Sequence, residues 1–201
     1  MNCLVKICGL RHVATVDAAV RAGADAVGFV FAKSVRQVTA RHASFSAANV
    51  PENVLRVAVM MHPSADEWEE VQMIFCPDVL QTDAEDFEGL EVPDDIARWP
   101  VIREGSISED DDLPNTFVYE GKTSGKGETV DWSFAAGLAV RSQLILGGGL
   151  SRHNVAEAIR RVGPYGVDVS SAVETSPGEK DPDLIRAFIE AVRATPNPRS
   201  K

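Results

Sequence analysis

Short apolar segments alternate along the chain with longer segments in which apolar residues recur every three or four positions. The short segments are rich in Val, Ile, Leu and Phe, which is typical of parallel strands buried on both faces. Eight segments are predicted to be strands, at residues 3–8, 25–31, 54–61, 78–81, 100–102, 116–119, 143–146 and 166–169. The longer segments between them have the period of amphipathic helices.

Several of the predicted helices carry recognisable start or stop signals. An N-cap is the residue whose side chain accepts hydrogen bonds from the first free backbone N–H groups of a helix. The predicted signals are a helix stop at Gly23, a capping box formed by Ser64 and Glu67, an N-cap at Ser151, and an N-cap at Asp181 followed by Pro182.

The middle of the chain departs from this pattern. Residues 103–115 contain only Ile107 and Leu113 as large apolar residues, too few for an ordinary core-facing helix. Strands that alternate with helices favour a closed parallel barrel over an open sheet. The sequence therefore predicts a compact α/β protein, a single (β/α)8 TIM barrel over residues 1–194 with helices four and five shortened or degenerate. Residues 195–201 are predicted to form a flexible C-terminal tail.

Composition narrows the class of protein further. The 201 residues carry a net charge of −10, which argues against nucleic acid as a partner. The acidity is confined to one block, residues 83–112. The three cysteines lack the spacing of a metal site, and no apolar run approaches the roughly 18 residues that a membrane span needs. Together with the absence of a signal-peptide pattern, these features predict a cytoplasmic protein without a bound metal or a membrane partner.

Catalytic groups of a parallel barrel gather at the carboxyl ends of its strands. Cys8 ends the first predicted strand, and the alternation of side chains places it inside the barrel together with Leu4 and Lys6. A thiol with a pKa of about 8.5 is only slightly ionised at neutral pH, so a role as base requires a site that favours the thiolate. The alternative is that Cys8 is a small buried apolar residue.

Two further candidates follow other strands. Asp131 ends the glycine-rich segment 125–131, which resembles a mobile lid closed by a fixed carboxylate. It is a candidate general acid or, alternatively, only the N-cap of the next helix. Arg36 follows the second strand, where a guanidinium can bind a substrate carboxylate through two parallel hydrogen bonds or simply be solvated.

The last candidate region follows strands seven and eight, where these barrels commonly bind phosphate through backbone N–H groups. Gly148 and Gly149 follow strand seven, and strand eight leads from Asp168 to Ser170 and Ser171. The alternative is that these residues only form tight turns. The corresponding place after strand three, residues 60–63, has no glycine and contains Pro63, so one phosphate cradle is expected.

Several motifs, in order along the chain, resemble the phosphoribosylanthranilate isomerase family of tryptophan biosynthesis. They are Val-Lys-Ile-Cys-Gly-Leu at 5–10, the segments 22–31 and 34–36, Gly-x-Thr-x-Asp-Trp at 127–132, Gly-Gly-Leu at 148–150, and Gly-Val-Asp-Val-Ser-Ser at 166–171. The resemblance covers residues 4–60 and 121–193. It implies a cofactor-free Amadori rearrangement of N-(5-phosphoribosyl)anthranilate to 1-(2-carboxyphenylamino)-1-deoxyribulose 5-phosphate.

The resemblance also implies a role for each candidate residue. Asp131 is the general acid and Cys8 the base; Arg36 binds the anthranilate carboxylate. Gly148, Gly149, Ser170 and Ser171 bind the phosphate, and Asp168 is a further substrate-binding residue. The expected partner is a small phosphorylated sugar, and the expected assembly is a monomer or a homodimer.

The chain departs from the family pattern after strand four. Asp83 stands where the family usually has a histidine, so a carboxylate faces an anionic ligand. Glu128 and Ala172 are further departures from the pattern. Two alternative functions therefore stay open: a histidine-pathway aminoaldose isomerase or dual-specificity relative, and a non-catalytic relative that binds a phosphorylated ligand.

Overall fold

The computed structural model describes residues 3–108, 111–122 and 129–199. Eight parallel strands pair in chain order, and the last pairs with the first, so that the sheet closes into a barrel. The strands are β1 Leu4–Cys8, β2 Ala26–Val30, β3 Leu55–Val59, β4 Val79–Asp83, β5 Ala97–Arg103, β6 Thr116–Glu120, β7 Gln143–Leu146 and β8 Gly166–Val169. The predicted (β/α)8 barrel is confirmed.

Helices cover the outside of the barrel. They are α1 Val13–Ala22, α2 Ala40–Ser46, α3 Ala65–Phe75, α4 Trp132–Arg141, α5 Val155–Val162 and α6 Pro182–Arg193. After β4 the chain forms only a 3-10 turn, Ala84–Glu88, and the described residues between β5 and β6 contain no helix. The prediction that helices four and five are shortened or degenerate is therefore confirmed. Between β5 and β6 the reason is that two large apolar residues, Ile107 and Leu113, cannot form the apolar stripe of a core-facing helix.

Side-chain alternation divides the core into two layers. The inner layer fills the barrel with Leu4, Ala26, Val57, Val79, Trp99, Val101, Val118 and Ile145. The other face of each strand packs against the helices, as Val5 and Ile7 of β1 do. Because side chains of a strand point alternately to its two faces, Lys6 and Cys8 lie on the same inner side as Leu4. The predicted placement of Cys8 inside the barrel is confirmed.

Most of the predicted helix signals are confirmed. Gly23 ends α1 in the left-handed region, and Ser64 with Glu67 forms the capping box of α3. The N-cap predicted at Ser151 is wrong, because α5 begins at Val155 and the residue before it is Asn154, whose side chain makes no capping hydrogen bond. Asn154 Oδ1 instead accepts a hydrogen bond from the Ser151 backbone at 2.7 Å, and Asn154 Nδ2 donates to the Gly149 carbonyl at 2.9 Å. The side chain thus ties down the loop after β7.

A short hairpin follows β8 and is absent from the sequence-based prediction. Its strands are β9 Glu174–Ser176 and β10 Glu179–Lys180, paired antiparallel. Pro177 and Gly178 form the connection, and Gly178 has a φ of 88°, as the second central residue of a type II turn requires. The Pro-Gly pair was the available signal for this turn.

The remaining predictions about the chain as a whole concern its tail, cysteines and membrane association. The flexible tail stays a prediction; in the structure Asn197 Nδ2 donates to the Pro164 carbonyl at 2.7 Å. All three cysteines are unpaired. Within the described ranges, each helix is too short or too polar to cross a bilayer.

Candidate active site

Cys8 lies at the carboxyl end of β1, one inward-facing position beyond Lys6. Lys6 is directly opposite Asp168 in the register of β1 and β8, and its ammonium contacts Asp168 Oδ1 at 3.0 Å. The Lys6 side chain is 0% exposed and that of Asp168 12%, so the ion pair lies almost entirely inside the barrel. The structure therefore brings together two predicted site residues, Cys8 and Asp168, and adds Lys6 between them.

The ionisation of Cys8 depends on competing effects. Burial raises the pKa of the Cys8 thiol, whereas the ammonium of Lys6 lowers it through its charge and through a hydrogen bond. The charge of Asp168 raises the thiol pKa and that of Lys180 lowers it. In Lys6, burial favours the neutral amine, but Asp168 and Cys8 raise the pKa overall and keep the ammonium charged. The thiol pKa is raised overall, so the cations offset only part of the effect of burial.

Arg36 is held by a carboxylate from the hairpin. Its Nε donates to Glu174 Oε1 at 2.6 Å and its Nη2 to Glu174 Oε2 at 2.8 Å. A side chain at Gly9 would collide with it, because a Cβ there would lie 2.5 Å from Arg36 Cδ. Gly178 is equally constrained, since its Cβ would lie 2.8 Å from the Val35 carbonyl oxygen. Two glycines therefore allow the Arg36 loop and the hairpin to pack closely.

Lys180 of the same hairpin completes this network. Its ammonium contacts Glu174 Oε1 at 2.6 Å, the Ser170 carbonyl at 2.9 Å and Ser170 Oγ at 3.2 Å. Burial would raise the pKa of Glu174, but hydrogen bonds from Arg36 and Lys180 hold it at about 2. Sequence reasoning did not identify Glu174 or Lys180 as site residues, because the hairpin that positions them was missed.

The loops after β7 and β8 have the predicted glycine-rich character. Gly148 and Gly149 have φ values of 79° and 60°, in the left-handed region that glycine adopts without strain. Ser171 begins a 3-10 turn, Ser171–Val173. The Ser170 hydroxyl donates to the Cys8 carbonyl at 3.1 Å, so it fixes the end of β1. Backbone N–H groups, more than the Ser170 hydroxyl, are therefore the groups available here for an anion.

Asp131 follows β6 and is the N-cap of α4. Its Oδ1 accepts hydrogen bonds from the backbone of Ser133 at 2.7 Å and Phe134 at 3.3 Å. Its own backbone N–H donates to Glu104 Oε1 at 2.7 Å. Both capping bonds use one carboxylate oxygen, so capping and proton transfer by the other oxygen are geometrically compatible. The predicted lid includes residues 125–128, which lie outside the described residues.

The predicted site residues fall into two groups around the barrel mouth. Cys8, Arg36, Asp168 and Ser170 belong to one group, where β1 meets β8. Asp131 belongs to the other, beyond β6, and β7 and β8 separate it from β1. The glycine loop after β7 lies between the groups. All of these groups lie at the carboxyl ends of the strands, where one ligand can contact them together.

Asp83 is not an isolated carboxylate. It ends β4 with its side chain only 8% exposed, and Oδ1 is ion-paired with Arg103. Its Oδ2 lies 3.3 Å from Nε2 of His62, which follows β3. The repulsion that the sequence suggested between Asp83 and an anionic ligand is therefore offset by two cationic partners.

His62 is flanked by a second carboxylate. Asp86 Oδ1 lies 2.9 Å from His62 Nδ1, and Asp86 Oδ2 accepts from the His62 backbone at 3.0 Å. Among the described residues His62, Asp83 and Asp86 form the one group that could hold a metal ion. Their mutual contacts are those of an imidazolium between two carboxylates, which accounts for the geometry.

Comparison with known proteins identifies the relatives of the chain. Residues 5–191 match the family model described as N-(5'phosphoribosyl)anthranilate (PRA) isomerase. The N-(5'-phosphoribosyl)anthranilate isomerase of Listeria innocua is 41% identical over 206 residues, covering 94% of this chain and 98% of that protein.

Solved structures agree with this match. The phosphoribosyl anthranilate isomerase of Thermus thermophilus superposes with a TM-score of 0.81 at 26% identity, covering 94% of this chain and 98% of that one. A phosphoribosyl anthranilate isomerase in complex with reduced 1-(o-carboxyphenylamino)-1-deoxyribulose 5-phosphate gives a TM-score of 0.76 at 30% identity, with the same coverage.

The carboxylates around His62 generate a prediction about its titration. His62 has a raised pKa, chiefly through its hydrogen bond to Asp86 and less through the charge of Asp83. We expect Asp86→Asn to lower the His62 pKa more than Asp83→Asn does, and both to lower it. Histidine NMR titrations measure this, with Asp66→Asn in the first turn of α3 as the control. A larger effect of Asp83→Asn would contradict the assignment of these contacts.

Proposed function

The chain belongs to the N-(5'-phosphoribosyl)anthranilate isomerase family, and from that premise we propose that Cys8 and Asp131 are its base and its acid. The protein is an isomerase of tryptophan biosynthesis that converts N-(5-phosphoribosyl)anthranilate into 1-(2-carboxyphenylamino)-1-deoxyribulose 5-phosphate. The observation that carries the residue assignment is the position of Cys8: at the inner end of β1, beside the Lys6 ammonium. A buried structural cysteine needs no such partner.

The first chemical step is the opening of the ribose ring. Asp131 donates a proton to the ring oxygen, the bond between that oxygen and C1′ breaks, and the nitrogen lone pair forms an iminium. Positioning matters here because Asp131 is fixed by two backbone hydrogen bonds at the start of α4. A fixed donor is aligned with one atom of the ligand, and general acid catalysis of this kind contributes about 10²–10⁴-fold.

The second step is proton removal at C2′. The Cys8 thiolate takes the proton, and the electrons of the C–H bond neutralise the iminium to give an enolamine. The enolamine then becomes the ketone when its hydroxyl loses a proton and C1′ gains one. No net oxidation occurs, which agrees with the prediction that no cofactor takes part.

Substrate binding uses the remaining predicted residues. Arg36 binds the anthranilate carboxylate, and its bidentate bond to Glu174 fixes the orientation of the guanidinium before the ligand arrives. The backbone around Gly148, Gly149, Ser170 and Ser171 binds the phosphate. Asp168 contributes through Lys6, whose ammonium it holds in place.

The proposed ligand is a small phosphosugar, and the protein acts as a monomer or a homodimer in the cytoplasm. One alternative, the aminoaldose isomerase of the histidine pathway, requires two phosphate cradles. The place after β3 instead contains His62, engaged with Asp83 and Asp86, and Pro63, which has no N–H to donate. This arrangement favours a substrate with one phosphate.

Turnover by the purified protein tests the function itself. We expect freshly generated phosphoribosylanthranilate to be consumed, seen as loss of its fluorescence, and the aminoaldose to give no measurable turnover. The reason is the single phosphate cradle. Comparable rates on both substrates, or two inorganic phosphates bound at opposite sides of the barrel mouth, would overturn the assignment to one substrate.

Substitution of the proposed acid and base tests the residue assignment. We expect Cys8→Ala and Asp131→Asn each to lower kcat by at least about 10²-fold with little change in KM, because both groups act only in the transition state. Cys3→Ala is the control for losing a buried thiol. Asp181→Asn is the control for the same substitution at another N-cap, because the Asp181 side chain accepts from the second and third backbone N–H groups of α6, as Asp131 does in α4. Near-normal kcat in either test variant, measured with chemistry rate-limiting, would show that its residue has another role.

Arg36 should affect binding more than catalysis. We expect Arg36→Ala to raise KM by about tenfold or more, because a charged hydrogen bond present in both ground and transition states is lost. Arg56→Ala removes another bidentate arginine–carboxylate pair, that of Arg56 with Asp78, and should leave KM unchanged. A substrate analogue without the carboxylate should suffer the same penalty on the parent protein and none on Arg36→Ala. Equal discrimination by both proteins would contradict the proposed contact.

A further inference from the structure

Five charged side chains surround Cys8, and nearly all of their surface is buried. Lys6, Lys180 and Arg36 are cations, and Asp168 and Glu174 are anions, with side-chain exposures between 0% and 13%. Buried charges require compensating partners because they have lost their hydration. In this group the cations exceed the anions by one. The group therefore carries a net positive charge and favours a further anion within it.

The contacts show where the surplus charge lies. Asp168 serves a single cation, Lys6. Glu174 pairs with two cations, because its Oε1 accepts hydrogen bonds from both Arg36 Nε and Lys180 Nζ at 2.6 Å. Lys180 meets three acceptors, Glu174 and the two oxygens of Ser170, which matches the three donors of an ammonium group. The surplus positive charge therefore belongs to the Arg36–Glu174–Lys180 network.

Cys8 lies between this network and the Lys6 ion pair. The Ser170 hydroxyl that accepts from Lys180 donates to the Cys8 carbonyl at 3.1 Å. On the other side, β2 leaves space at Gly28, the register partner of Cys8. A Cβ at Gly28 would lie 3.1 Å from Lys6 Cε and 3.3 Å from Cys8 Sγ. Because residue 28 is glycine, space remains in which the Lys6 ammonium and the Cys8 sulfur approach each other.

We propose that Lys6 and Lys180 are positioning residues of the reaction: their ammonium groups, from β1 and β10, stabilise the thiolate form of Cys8, which accepts the substrate proton, against the cost of burial. The proposal rests on the base role of Cys8 proposed above. When Cys8 ionises, the negative charge on its sulfur offsets the surplus positive charge of the buried network. Lys6 acts directly at the sulfur, and Lys180 supplies the uncompensated charge.

The order of the effects follows from the contacts. Among the charged groups, Lys6 has the largest effect on the Cys8 pKa and lowers it. Asp168 has a smaller effect and raises it, and Lys180 has a still smaller effect and lowers it. The charge of Cys8 also raises the pKa of Arg36. Removing Lys6 should therefore raise the thiol pKa most. Removing Lys6 and Asp168 together should raise it less, because the charge of Asp168, which raises the thiol pKa, is lost as well.

Thiolate absorbance in the ultraviolet measures this directly in a protein with Cys3→Ala and Cys76→Ser, where Cys8 is the only thiol. At a pH where the thiol is mostly protonated, we expect Lys6→Met to reduce the thiolate fraction at least about tenfold, which is one pKa unit. Lys180→Met should reduce it by a smaller factor, and exposed Lys33→Met should leave it unchanged. A folded Lys6→Met protein that titrates like its parent would overturn the proposal.

Two further measurements keep the test decisive if Lys6→Met unfolds because Asp168 loses its partner. The neutral double variant Lys6→Met with Asp168→Asn should give a smaller thiolate fraction than the parent, and a parent-like fraction would contradict the proposal. Reciprocally, Cys8→Ser should lower the Lys6 pKa, which nitrogen NMR of labelled lysine detects without changing Lys6. An unchanged Lys6 titration would also contradict it.

Activity separates this proposal from the base role on which it rests. In Lys6→Met the acidic limb of the kcat profile should move to higher pH, in step with the thiolate titration measured without substrate. If the titration moves but the profile does not, the coupling of Lys6 to Cys8 stands and Cys8 is not the base. If neither moves in a folded protein, the coupling itself is wrong.

Discussion

The buried ion pair between Lys6 and Asp168 is the contact on which the arrangement of the site depends. It joins the first strand to the last, at the seam where the barrel closes, and it lies one inward position below Cys8. Buried ion pairs are weak contributors to stability, since apolar replacements are often neutral or stabilising, while removal of one partner costs about 3–5 kcal/mol. Stability alone is therefore a poor reason for this pair. Its value lies in a fixed positive charge next to a thiol.

A second charged network surrounds Arg36, the residue proposed to bind the substrate carboxylate. The hairpin after β8 places Glu174 between Arg36 and Lys180, and the close packing of the hairpin turn on the Val35 carbonyl is possible because residue 178 is glycine. A bidentate carboxylate fixes the plane of the guanidinium before any ligand binds. Preorganised donors of this kind lose less freedom on binding than a mobile surface arginine does.

The proposed acid and base, Asp131 and Cys8, lie on different parts of the barrel mouth, which is a consequence of the fold. Parallel strands deliver their carboxyl ends to one face, so groups from β1 and from the loop after β6 meet one ligand without contacting each other. The helix-poor side of the barrel, around β4 and β5, is stabilised differently. There Asp83, His62, Asp86 and Arg103 form ion pairs at the rim in place of a packed helix.

The sequence alone determined the features that depend on local periodicity and capping chemistry. Apolar runs located all eight strands, alternation placed Cys8 inside the barrel, and two apolar residues in thirteen predicted the missing helix. The N-cap at Asp181 and the capping box at Ser64 followed from short-range hydrogen bonding. These features are predictable because each involves residues within a few positions of one another.

Only the tertiary structure decided which charges meet. Lys6 and Asp168 are 162 residues apart and Arg36 and Glu174 are 138 apart, and no local pattern links them. Their pairing depends on the closure of the barrel, on strand register and on a hairpin whose turn signal was overlooked. The partners of Asp83 likewise come from neighbouring strand ends, so a carboxylate that looks repulsive in the sequence is neutralised in the fold. Long-range pairing sets the electrostatics of this site, and a linear sequence carries that information only through the fold.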